Sequence, residues 1–198
     1  MHSTTDSSPT PPTQQPTKKI SYELRPATPA DATQISQLGS KTFAHTFGYS
    51  LPPSDLASYL ETSYSIPSIT RELTNPSMQY IVAVSPSDAS QIYGFAQLTS
   101  GSSEPCIDVD PEKYPEPVEL QRLYVGVEFA GKGVGKGLAR EIERMAREMG
   151  RKTLWLGVWE DNLVAQGIYK ALGFEKVGKH DFVMGECVQT DWIMMKKL

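Results

Sequence analysis

The sequence predicts a single mixed α/β domain over residues 20–198, preceded by a disordered tail over residues 1–19. Three observations carry this prediction. Residues 117–150 read as a strand, a glycine-rich turn and a long amphipathic helix. Two runs rich in β-branched and aromatic residues, 80–84 and 92–98, read as paired strands. Residues 3–19 are almost wholly Ser, Thr, Pro, Gln, Asp and Lys, a composition that cannot bury enough apolar surface to offset its ordering entropy.

In chain order, Ile20-Ser21-Tyr22-Glu23-Leu24-Arg25 alternates as a half-buried strand and stops at Pro26. Thr28 is placed to cap a helix that opens at Pro29, with Ile35, Leu38, Thr42 and Phe43 along its apolar face. Shorter helices are expected after Pro53 and after Pro67. Residues 43–49 are dense in aromatics; His45 among them has no carboxylate or second ligand nearby in sequence and reads as a packed or surface histidine. The strands 80–84 and 92–98 are joined by a polar turn over residues 85–90. Residues 101–116 hold three prolines with Glu104, Asp108, Asp110, Glu112 and Glu116, and read as an acidic surface loop.

Within the central stretch, Val118, Leu120, Leu123, Tyr124, Val125 and Val127 supply a buried strand. Gly131, Gly133, Gly135 and Gly137 then alternate with Lys132, Val134 and Lys136. Val134, Leu138, Ile142, Met145 and Met149 mark the apolar stripe of the helix, and Gly150 ends it. After this come a strand over residues 153–159 and a helix over 161–172, with Asp161 as the expected N-cap and Gly173 as the stop. Residues 182–184 and 192–195 read as a closing hairpin.

The 198-residue chain carries a net charge of −4, which gives no support to nucleic-acid or anionic-membrane binding and suits a cationic partner. No apolar run approaches the ~20 residues of a membrane span, and residues 1–19 lack the apolar core of a signal peptide. Cys106 and Cys187 lie far apart without a C-x-x-C or a histidine cluster, so reduced thiols, no metal and a cytoplasmic location are expected.

Glycines at the mouth of a helix leave several N–H groups aimed outward, where the helix dipole also favours negative charge. The turn is therefore an anion cradle suited to a pyrophosphate. A P-loop register puts Ala130 where the first glycine belongs and Gly137 where a hydroxyl should bind Mg²⁺. A dinucleotide register fails at its last glycine, where Leu138 or Lys136 falls. What fits is x-x-G-x-G around Gly133 and Gly135, directly after a strand. Downstream, Asn162-x-x-Ala165-x-x-x-Tyr169-x-x-x-Gly173-Phe174 places Asn162, Ala165 and Tyr169 on one helix face.

These two motifs, in this order and on these elements, resemble the GNAT superfamily of acetyl-CoA-dependent N-acetyltransferases. The likeness spans residues 20–198 and implies a central, mostly antiparallel twisted sheet flanked by helices. Residues 155–160, the 162–174 helix, 182–185 and Gln189-Thr190-Asp191 further resemble the PaiA type of spermidine/spermine acetyltransferases, as do residues 119–125. Ala130 departs from the family pattern, which has Gln or Arg there. Gly167 inside a helix is also unusual, at about 1 kcal/mol against Ala.

Acetyl transfer to an amine needs a neutral amine, a donor for the thioester carbonyl, a proton for the leaving thiolate, and both substrates held together. The resemblance implies Glu119 as general base and Tyr169 as general acid, with Asn162 and Ala165 on the cofactor face. It implies that backbone groups of Leu123, Tyr124 and Val125 pair with the pantetheine. It implies a pyrophosphate cradle from Gly131, Lys132, Gly133, Val134, Gly135 and Lys136. For Glu119 a solvent-facing strand residue, or an ion pair with Arg122, is the competing reading; for Lys132 and Lys136 it is solvated surface charge. The expected acceptor is a small cationic amine such as a polyamine, with Asp108, Asp110, Glu112 or Glu116 holding its distal charge and the 43–49 aromatics on its methylenes. A protein N-terminal or lysine acetyltransferase, and a non-catalytic acetyl-CoA sensor, remain alternatives, and so do a monomer and a homodimer.

Overall fold

The computed structural model of the protein describes residues 19–198, so the expected tail lies outside the described residues except for Lys19. The elements, in order, are β1 (Glu23–Pro26), α1 (Ala32–Phe47), α2 (Pro53–Tyr64), α3 (Ile66–Leu73), β2 (Met78–Ser85), β3 (Asp88–Thr99), α4 (Pro105–Asp108), β4 (Pro117–Val125), α5 (Val134–Glu148), β5 (Thr153–Trp159), α6 (Leu163–Ala171), β6 (Glu175–Met184) and β7 (Cys187–Lys197). The strands form one sheet in the order β1-β2-β3-β4-β5-β7-β6. Every neighbouring pair is antiparallel except β4 and β5. That parallel pair needs a crossover, which α5 supplies. The mixed α/β fold with a mostly antiparallel sheet is as expected.

Alternation along the strands builds a core on each face. Ile81, Ala83, Leu154, Leu156 and Val158 meet Val134, Leu138, Ile142 and Ala146 of α5 on one face. Tyr80, Val82, Val84 and Phe95 meet Ile35, Phe43 and Ile69 of α1 and α3 on the other. Each fully buried Leu or Ile contributes about 1.5–3 kcal/mol, and this stripe presses the start of α5 against β4. Met149, expected in the stripe, is 38% exposed at the helix end, and Ala146 takes the buried place.

Several local expectations shift. The first strand is registered with β2 only from Glu23 to Pro26, because Ile20 turns aside to bond its N–H to the Lys132 carbonyl at 3.4 Å. The β2–β3 connection is tighter than a six-residue turn: Ser85 pairs with Asp88, and the register shifts on either side of Val84 absorb the difference. The acidic loop contains the short helix α4, anchored by buried Ile107 against Trp155 and Ile193. The N-cap of α6 is Asn162 rather than Asp161: the Asn162 side-chain oxygen accepts the Ala165 N–H at 3.1 Å. The closing hairpin is longer than the apolar runs alone indicate, since its outer positions are polar and exposed.

Candidate active site

β4 and β5 are registered only from Pro117 to Glu119, ending at Glu119 opposite Trp155. Beyond that point β4 stays on β3 as far as Val125, and β5 stays on β7 as far as Trp159. The two strands part, and the edge of β4 facing β5 is left without a strand partner. A register shift in the β3–β4 pairing leaves Gln121 as the extra residue. The bulge changes the phase of the strand: Leu120 and Leu123 both face the α5 core, while Glu119, Arg122 and Tyr124 come to the cleft. A cavity of about 300 Å³ opens in the split. It is lined by residues 119–125 of β4, Gly157 to Trp159 of β5, and Asn162, Ala165 and Tyr169 of α6, so the three motif positions on α6 share one wall. Phe43, Phe47, Tyr59 and Phe182 close the opposite side.

The glycine turn lies at the start of α5 and does not line this cavity. Gly131 and Gly133 have φ of 71° and 94°, a region that favours glycine. Gly133 is the N-cap, so Val134, Gly135 and Lys136 form the first turn, whose N–H groups have no acceptor within the helix. A Cβ on Gly135 would sit 3.4 Å from Val125 and 3.7 Å from Leu123, which places the mouth of α5 directly against the open edge of β4. Gly137 serves packing instead, since a Cβ there would collide with Tyr22. The Val134 side chain is in the core, Lys132 lies 5.9 Å from the Phe129 ring, and Lys136 is exposed.

Glu119 is neither solvent-facing nor paired with Arg122. Arg122 is buried and held by Glu72 of α3, by the Tyr80 hydroxyl at 2.7 Å and by the Ser63 carbonyl at 3.3 Å. Burial raises the Glu119 pKa above the usual carboxylate value, and Glu104 adds to the rise, while Ser102, His180 and Arg122 oppose it. Burial also pushes the Tyr169 hydroxyl up to about 12; the ring packs edge-on to Phe174. The Tyr64 hydroxyl donates to that of Tyr124 at 2.8 Å within the same cavity.

Two further residues reach this site without having been singled out from sequence as site residues. His180 and Asp191 line the cavity from β6 and β7. His180 Nδ1 lies 2.6 Å from Glu104 of the acidic loop, and its Nε2 lies 3.7 Å from Asp191 Oδ2. Burial raises the Asp191 pKa to about 6 despite the nearby imidazole. The signal for this pair was present: a tight turn at Gly185-Glu186 sets a register in which His180 stands opposite Asp191. By contrast Asp108, Asp110, Glu112 and Glu116 are absent from the cavity wall. Asp108 accepts from Ser103 at 2.5 Å, Asp110 from the Lys113 N–H at 2.9 Å, Glu116 lies 3.8 Å from Arg151, and Glu112 is exposed. His45 is exposed and Cys106 and Cys187 are free thiols. Among the described residues no group of His, Cys, Asp and Glu is arranged to hold a metal ion. No helix among them is long and apolar enough to cross a membrane.

This geometry has clear relatives. The sequence pattern of the Acetyltransferase (GNAT) family matches residues 48–174. An uncharacterised N-acetyltransferase from the pepI 3' region of Lactobacillus delbrueckii subsp. lactis is 31% identical over 169 residues, covering 85% of this chain and 92% of that one. Among solved structures, the PaiA N-acetyltransferase of Thermoplasma acidophilum, in complex with coenzyme A, superposes with a TM-score of 0.71 at 23% identity, covering 90% of this chain and all of that one. Arabidopsis thaliana NAA60 in complex with a bisubstrate analogue superposes with a TM-score of 0.69 at 15% identity, covering 89% and 98%. The two structural likenesses establish the fold; the sequence matches establish the family. A parted β4–β5 pair, a glycine-capped α5 and the Asn162–Tyr169 face thus belong together, and the chain is a member of the acetyltransferase (GNAT) family, an acetyl-CoA-dependent N-acetyltransferase.

Proposed function

We propose that the acceptor is a primary alkylamine of the polyamine class, as in the PaiA type. The observation that carries this reading is a cavity in which two carboxylates, Glu119 and Asp191, share the wall with Phe43, Phe47, Tyr59, Trp159 and Phe182. Carboxylates pair with an ammonium, and ring faces accept its charge or the methylenes beside it. The guanidinium of Arg122, held by Glu72, offsets Glu119 only in part.

Acetyl-CoA supplies the acetyl thioester, and the residues present fit it. The first turn of α5 offers backbone N–H groups to a pyrophosphate, and Gly135 sits in that turn directly against Val125 and Leu123 of β4. Lys132 and Lys136 add positive charge nearby, and the backbone along Leu123, Tyr124 and Val125 is free to pair with an extended ligand. Ala130 forgoes the side-chain contact common in the family; the backbone cradle does not depend on it.

Glu119 acts as the general base. An alkylammonium has a pKa near 10, so deprotonating it at pH 7 costs about 4 kcal/mol. Burial that raises the proton affinity of Glu119 narrows that gap. Tyr169 holds its proton toward the cleft. A pKa of about 12 exceeds the roughly 8.5 of a thiol, so Tyr169 stabilises a departing thiolate by donating a hydrogen bond rather than by completed transfer. Asn162 commits its side-chain oxygen to the helix cap, leaving its NH₂ to orient bound cofactor.

The test is a panel of amines assayed by free-thiol release with saturating acetyl-CoA. Primary alkylamines should turn over, with spermidine or spermine ahead of simple monoamines. A peptide N-terminus or an aminosugar outperforming every polyamine would remove the acceptor assignment and leave the acetyltransferase standing.

A further inference from the structure

The carboxylates expected from sequence to hold an acceptor's distal charge do not reach the cavity, yet the cavity has a second polar corner remote from the acidic loop's tip. It is built on β5, β6 and β7. A carboxylate only accepts hydrogen bonds, so with Glu104 at 2.6 Å the proton of a neutral His180 sits on Nδ1. Its Nε2 is then a lone-pair acceptor. That atom is buried and has no hydrogen-bond partner among the described residues, since 3.7 Å to Asp191 Oδ2 is too long for one. A buried acceptor left without a donor is costly.

Gly157 shows where a donor belongs. An ideal Cβ on Gly157 would lie 3.3 Å from Asp191 Oδ2 and 3.7 Å from His180 Nε2. The lack of a side chain at this one position keeps a site open between two acceptors that converge on it, and Gly157 itself lines the cavity. An ammonium group has three N–H donors and no acceptor, so it satisfies both at once. The other charged groups around this corner leave it negative: Glu104 stands behind His180, and Lys179 at the rim is paired with Glu160 at 3.3 Å. The ring of His180 also stacks on Phe182 at 6.4 Å, which fixes its plane.

We propose that Asp191 and His180, with Gly157 between them, form the subsite for a second ammonium group of the acceptor, and that Glu104 positions His180 for this role. The inference rests on the polyamine reading above and names the residues that select for a second charge. Glu119 serves the reacting nitrogen and the Asp191–His180 corner the distal one, so Gly157 becomes the residue that determines specificity.

The experiment compares kcat/KM for an α,ω-diamine and for the monoamine of equal chain length, in the wild type, Gly157→Ala and Asp191→Asn. The wild type should prefer the diamine by about tenfold or more, the worth of one contact near 1.4 kcal/mol. In each variant the diamine should lose about tenfold more than the monoamine, chiefly through KM, and added salt should narrow the wild-type preference but not the variants'. Gly157→Ala meets only the side chains of Asp191 and His180, at 3.3 Å and beyond, so it keeps the test available should Asp191→Asn fail to fold. An unchanged diamine preference in a folded variant, or a wild type with no such preference, overturns the subsite. A wild type that acetylates neither amine overturns the acceptor reading itself, which separates the two failures.

Discussion

Tyr169 keeps its phenolic proton up to about pH 12 because the ring is enclosed and nothing nearby stabilises the phenolate. Tyr169→Phe preserves the packing on Phe174 and deletes only the donor. General acid catalysis spans about 10²–10⁴-fold, and the proton mismatch with a thiolate puts the expected kcat loss near the lower end, with acetyl-CoA affinity little changed. A loss of less than a few-fold, with chemistry shown to limit turnover, would leave Tyr169 a packing residue. Asp191 carries a prediction of opposite sign to the usual buried carboxylate. Its pKa rises from 3.8 to about 6, so the folded chain holds the proton more tightly than the unfolded one. The stability contributed by protonated Asp191 is present below pH 4 and is lost as pH rises through 6. Asp191→Asn cannot ionise. Relative to the wild type it should therefore gain stability between pH 4 and pH 7, by up to about 3 kcal/mol for two pK units. Urea denaturation at both pH values measures this; a constant difference would mean that the carboxylate is not desolvated.

The glycine turn and α5 act together as one element. Gly133 supplies the left-handed N-cap, Gly135 lies in the first turn beside β4, and the Leu138–Ile142 stripe gives the burial that holds the helix mouth in place. Gly135→Asp separates folding from binding. An acidic residue in the first turn of a helix favours the dipole by about 0.3–1 kcal/mol, and the added Cβ meets Val125 at an ordinary 3.4 Å. Thermal stability should hold or rise. The same carboxylate would repel a pyrophosphate at the helix mouth, so acetyl-CoA affinity should fall tenfold or more by calorimetry. A stable variant with unchanged affinity would relocate the phosphate site. The α6 element was legible in the same way: Asn162, Ala165 and Tyr169 recur at helical spacing and do share one wall. Its cap was misplaced by one residue because Asp161 and Asn162 are equally good capping types, and only the backbone path decides which side-chain oxygen reaches the Ala165 N–H.

At the scale of the whole molecule, the sheet is split at the one parallel junction among the described residues. The chain enters that junction twice, through β4 with α5 and through β5 with α6, so both recognisable motifs flank the same opening. The buried Arg122–Glu72–Tyr80 cluster ties β4 to α3 and β2. It also explains why Glu119 lacks the ion pair with Arg122 that nearness in sequence suggested. The bulge at Gln121 rotates Arg122 into line with Glu119, but toward α3, where Glu72 already waits. Apolar periodicity was local enough to read directly. The acidic corner was legible only in part: one hairpin sets His180 opposite Asp191, but Glu104, at the cap of α4, joins them from a separate part of the chain.

The sequence by itself determined the order of the strands and of the helices other than α4, and the two spaced motifs that resemble the GNAT pattern. These rest on periodicity and glycine placement within about fifteen residues, the range over which helix and strand geometry acts. Only the tertiary structure decided which carboxylates face the cavity. It withdrew Asp108, Asp110, Glu112 and Glu116 to the surface and brought Glu104 and Asp191 around His180. The physical reason is that side-chain charge is equally soluble anywhere on a loop. Its position in a cavity is set by sheet register and by the packing of Ile107 beneath α4, contacts that join residues up to 86 positions apart, as Ile107 to Ile193.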